Sequence, residues 1–68
     1  MIDKNGQKIE LGMHLIPYNG EGVEVIAMIE RDTEDFGHVL LVNQVEDPMA
    51  FSPLTQEQLS DLWIIKED

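Results

Sequence analysis

This chain contains no cysteine. That excludes a disulfide-stapled mini-protein and every thiolate metal site. Basic residues are scarce: four Lys and Arg stand against fourteen Asp and Glu, for a net charge of −10. Phosphate backbones are bound by Lys and Arg that displace counterions, so direct nucleic-acid binding is disfavoured. An anionic membrane leaflet repels the same surface. No apolar run approaches the ~20 residues of a membrane span. The opening Met1-Ile2-Asp3-Lys4-Asn5-Gly6 lacks the apolar stretch of a signal peptide. A cytoplasmic protein is the expectation.

Catalytic signatures are missing as well. The hydroxyls Thr33, Ser52, Thr55 and Ser60 fall in turns or caps. No serine sits on a Gly-x-Ser-x-Gly elbow, and no glycine-rich loop opens a helix. His14 and His38 are the candidate bases, yet a lone histidine at each strand end reads as a half-exposed surface residue. Asp32-Thr33-Glu34-Asp35-Phe36-Gly37 has the spacing of a calcium loop at its start, but Phe36 and Asn43 occupy positions that must supply ligands. The expectation is a protein without catalytic activity, metal or cofactor.

What remains is a normal apolar share, 43% of 68 residues, enough for one domain spanning 1–68. Its organising stretch is Gly22 to Glu30. Val23, Val25, Ala27 and Ile29 alternate with Glu24, Ile26, Met28 and Glu30, the period of a strand. The first set is wholly apolar and should face the core; the second is mixed. Before it, Met13–Tyr18 reads as a strand in which Pro17 marks an edge or an irregularity. The loop Asn19–Gly22 leaves two registers open, and the one that puts Met13 and Leu15 on the face of Val23 and Val25 buries more apolar area. Further upstream, Asn5-Gly6 signals a hairpin with a type I′ turn, lying over the core. Phe36–Asn43 is apolar on both faces, as in a strand covered on both sides. Met49 and Phe51 are expected to face inward from a short edge strand. Thr55 and Gln58 form a capping box, with Leu54 and Leu59 as its staple, for a short helix from Gln56 to Asp61. Leu62–Lys66 closes the chain as a strand.

Together these elements predict a mainly β fold: a small five-stranded antiparallel barrel of the SH3-like kind, with an N-terminal hairpin and one short helical turn before the last strand. The run Asp3-Lys4-Asn5-Gly6-Gln7-Lys8-Ile9-Glu10-Leu11-Gly12-Met13 resembles the opening D-x-x-G-x-x-I-x-x-G of many small SH3-like β-barrel proteins of phages, prophages and bacteria. The glycine-rich turn before Val23-Glu24-Val25-Ile26 is similar to the hairpin of KOW-type SH3 barrels. KOW modules bind RNA or protein through basic and aromatic loops, whereas the loops here carry Glu21, Asp32, Glu34 and Asp35. Nucleic-acid binding is therefore not carried over.

Two functional readings follow. In the first, Ile26 and Met28, interrupted by Glu24 and Glu30, make an apolar centre with an acidic rim for an unidentified protein partner or for self-association, with Tyr18 a further exposed aromatic candidate. In the second, Asp32, Glu34 and Asp35 belong to an acidic decoy that occupies the nucleic-acid site of a basic protein. Duplex DNA over the ~28 Å width of such a domain carries roughly 16 charges, the same order as the net charge here.

Overall fold

The structure, a computed structural model, describes residues 1–67. Five strands and one helix follow in order: β1 (His14–Pro17), β2 (Val25–Thr33), β3 (Gly37–Gln44), β4 (Phe51–Thr55), α1 (Gln56–Leu62) and β5 (Trp63–Ile65). They form one antiparallel sheet in the order β4-β3-β2-β1-β5. The expected mainly β architecture is thus present. The sheet is open, however: among the described residues no ladder joins β4 to β5, and α1 lies between them in the chain.

Partners across an antiparallel ladder project to the same face. Leu15 opposes Val25, the register that brings the most apolar area together. Ala27 opposes Val42, and Leu40 opposes Leu54. These six residues, with Ile9 and Leu59, make the core, and Met1, Trp63 and Ile65 pack on it. β3 is covered on both sides only near its start: Leu40 and Val42 point to the core and Val39 is fully buried outside that cluster, but Leu41, of the same parity as Val39, is only half-buried.

Four inward assignments are overturned. Val23 lies ahead of β2 and is 37% exposed. Ile29 is 49% exposed because the ladder slips between Ala27 and Ile29. Ala27 and Ile29 are two residues apart, but their partners Val42 and Leu41 are adjacent. Met28 is therefore the extra residue of a β-bulge, and beyond it the alternation is inverted. Met49 and Phe51 also point outward, at 85% and 55% exposure. In β4 it is Leu54, opposite Leu40, that faces in; Phe51 has the opposite parity and pairs with Asn43.

Pro17 is tolerated in a strand that is not an edge. Tyr18 N–H donates to Leu62 O and Lys66 N–H to His14 O, so Pro17 pairs with Trp63 where β5 needs no donor. Its other flank meets no strand, since β2 begins only at Val25. Gly22 stands there instead: with φ of 129°, a Cβ on it would come within 2.9 Å of Pro17 Cγ.

The N-terminal hairpin forms, but not with a type I′ turn. Among the described residues no non-glycine residue has positive φ, so Asn5 is in ordinary backbone and Gly6 alone, at φ 79°, is left-handed. Gly6 N–H donates to Asp3 O and Asp3 N–H to Gln7 O, which is a three-residue loop with glycine at the left-handed position. The hairpin is tied down across the chain. Lys4 N–H donates to Trp63 O, and Asp3 Oδ2 accepts from Ile65 N–H at 3.0 Å. The Gln56 side-chain amide both accepts from Ile2 N–H and donates to Ile2 O.

α1 starts as its sequence dictates. Thr55 Oγ1 accepts from Gln58 N–H at 3.2 Å, and Gln58 Oε1 accepts from Thr55 N–H at 2.9 Å. Leu54 and Leu59, flanking this box, both enter the core. No helix among the described residues is long and apolar enough to cross a membrane.

Candidate functional site: the outer face of the sheet

The ladder registers define a face turned away from the core. Its first row is His14, Ile26, Asn43 and Phe51, on β1, β2, β3 and β4 in turn. Its second row is Ile29, Leu41 and Pro53. The bulge residue Met28 lies between them on β2 and is 38% exposed. Ile26 and Leu41 are half-buried, while Ile29, Phe51 and Pro53 are exposed. The bulge is what assembles this surface. Without it, Ile29 would follow Val25 and Ala27 into the core. Asn43 sits in the first row with its Oδ1 buried and without a hydrogen-bond partner.

The residues singled out from the sequence separate into four places. Ile26 and Met28 belong to the outer face. Asp32 projects on the other side, near the far end of β2, opposite His38. Glu34 and Asp35 are exposed in the turn between β2 and β3, where Thr33 Oγ1 accepts from Phe36 N–H. Tyr18 lies past the opposite end of β1, with Lys4 Nζ 4.5 Å above its ring. Sequence reasoning missed Ile29, Leu41 and Phe51 as members of the outer face; only Phe51, in a short Pro-bounded segment, carried any hint of edge exposure.

Two polar clusters flank the sheet. On the core-facing side of the β2–β3 hairpin, His38 Nδ1 lies 2.8 Å from Asp32 Oδ1 and Nε2 3.2 Å from Glu30 Oε2. Both ring nitrogens face carboxylates, which only the doubly protonated ring can serve as donor. Asp32, then Glu30, accordingly raise the His38 pKa above its ordinary value. Glu30 is lowered in turn, chiefly by the hydrogen bond from His38 and then by the N-terminal ammonium 3.4 Å away. The bulge placed Glu30 on this side. The second cluster joins His14 Nδ1 and Lys66 Nζ to the two oxygens of Glu24, the Lys66 contact being 2.8 Å. The hydrogen bonds from Lys66, then His14, lower the Glu24 pKa. These residues border a cleft of about 440 Å³ with Gly12, Met13 and Ile65.

The histidines are thus engaged in separate clusters. No group of three or more His, Asp or Glu among the described residues is arranged to hold a metal ion. Comparison with family models, with curated proteins and with solved structures finds no match to this chain.

Proposed function

We propose that the chain is a non-catalytic protein-interaction module of SH3-like build, and that it docks through the outer face of β2, β3 and β4. The observation that carries this reading is the bulge at Met28, which turns Ile29 out beside Leu41 and Phe51 rather than into the core. An apolar centre of this kind is the usual core of a protein interface. The SH3-like part rests on the strand order β4-β3-β2-β1-β5 with a short helix before the last strand.

The occupant is a basic protein rather than a second copy. The chain carries net charge −10, so two copies face-to-face repel, whereas Lys and Arg around a partner's apolar patch are attracted. The acidic residues Asp32 and Glu30 hold His38 on the other side of the sheet, which removes them from this face.

Affinity capture from an extract of the encoding organism, followed by calorimetry with the purified partner, tests the reading. Met28→Glu and Phe51→Glu are expected to weaken binding at least about tenfold, since each places a charge in a desolvated interface centre. The triple change of Asp32, Glu34 and Asp35 to amides should weaken it by a smaller factor, since it lowers the long-range attraction without touching the interface centre. If that neutralised variant loses the partner while Met28→Glu keeps it, the acidic decoy reading replaces this one.

A further inference from the structure

Beside α1 the outer face runs into a cleft of about 760 Å³. Phe36 reaches it from the β2–β3 turn, and Pro53 and Thr55 from β4. Glu57 and Asp61 reach it from α1. Phe36 is 60% exposed, an aromatic ring left in water at the mouth of a concave site. Glu57 and Asp61 are four residues apart on a helix, so they share one face with Cβ atoms about 5–6 Å apart. Both are exposed, and no Lys or Arg lines the cleft. Arg31, the nearest cation by ladder position, is separated from Thr55 by Val39 on the strand between.

Building on the docking reading above, we infer that this cleft receives an arginine side chain of the basic partner. A guanidinium is planar and presents a fork of donors, which two carboxylates on one helix face can accept. Its flat face stacks on an aromatic ring, and Phe36 supplies one. A lysine ammonium has the charge but neither the plane nor the fork. Pro53 belongs to both the outer face and the cleft, so a chain segment lying over Phe51 and Pro53 delivers its next side chain to the carboxylates without leaving the surface.

The test is an NMR titration of the isotope-labelled full chain with a short peptide carrying one arginine between leucines. Matched peptides carry citrulline or lysine at that place. The arginine peptide is expected to give saturable shifts at the amides of Phe36, Thr55 and Ser60. Citrulline should abolish them, and lysine should bind several-fold more weakly. The double change Glu57→Gln with Asp61→Asn is expected to weaken arginine-peptide binding about tenfold, the usual scale for losing a charge-assisted contact. Phe36→Ala, at an exposed turn position, should weaken it by a smaller factor. Circular dichroism confirms that each variant is folded. Equal binding of arginine and citrulline peptides, or shifts confined to the outer face and unchanged in the Glu57/Asp61 variant, overturns the cleft assignment. The latter result leaves the outer-face docking intact, whereas loss of partner sensitivity to Met28→Glu would remove the docking reading itself.

Discussion

Asp3 is 1% exposed, yet its side chain is a carboxylate in a chain with little charge to neutralise it. Backbone donors do that work. Oδ1 accepts from Asn5 N–H at 3.0 Å and Gln7 N–H at 2.8 Å, and Oδ2 from Ile65 N–H at 3.0 Å. One side chain thus shapes the first turn and joins it to the last strand. Asp3→Ala strands three backbone donors and should cost about 3 kcal/mol or more, because hydrogen bonds to carboxylates are worth roughly 1.5–3 kcal/mol each before relaxation. Asp3→Asn should cost less but still measurably, since one amide end turns a donor toward a donor. Urea titration reads both, and a midpoint within error of wild type for Asp3→Ala would refute the role. His38 sets a pH dependence with a definite sign. Its pKa is raised in the folded chain above the ordinary 6.5, so its contribution is fully present below that value and is lost as pH rises through the folded value. Glu30, lowered from 4.5, gives the complementary limb, lost as pH falls through its folded value. The stability difference between wild type and His38→Gln should therefore peak between these limits and shrink on the alkaline side. A difference that stays flat from mildly acid to alkaline pH contradicts this.

Among the elements, α1 was the most legible. Thr55, Gln58, Leu54 and Leu59 act within five residues of one another, and such local chemistry is written in the sequence. Thr55→Ala removes the cap and should lower stability by about 1 kcal/mol. Thermal melting checks it, and a restored melting point in Thr55→Ser would show that the hydroxyl, not the side-chain bulk, is responsible. The alternation of β2 was legible only as far as Ala27. Nothing in Val-Ile-Ala-Met-Ile-Glu announces an inserted residue; the bulge is settled by the partner strand, whose Val42 and Leu41 must meet Ala27 and Ile29. The same limit hid Phe51. Its inward assignment followed from hydrophobicity, while the parity of β4 is fixed by Leu54 entering under the helix. Asp3 was half legible: Asp-x-x-Gly is a turn signature, but its bond to Ile65 spans 62 residues.

The whole molecule is small and crowded with one sign of charge. Its extents are 33 × 28 × 19 Å, not much more than a Debye length of about 10 Å at 0.1 M salt in each direction from the centre. At low ionic strength most carboxylates therefore feel one another. The cross-sheet pairs of Glu24, Glu30 and Asp32 are exposed and worth little individually, so repulsion outweighs them. Raising salt from about 0.02 M to about 0.5 M should increase the melting temperature, since screening relieves the repulsion. A melting temperature that falls over the same range would show that attractive pairs dominate.

The extra residue in β2 also leaves the protein's outward character indifferent to the loss of a single codon. Loss of Met28 would set Ile29 directly after Ala27, just as Leu41 directly precedes Val42, so the ladder would run regularly with Ile29 still outside and Glu30 still beside His38. Such a lineage would keep its sticky exterior and shed only the kink, whereas a slip that drew Met28 into the ladder would drive Ile29 inward, so the setting for sociability lies in how this strand pairs and not in its length.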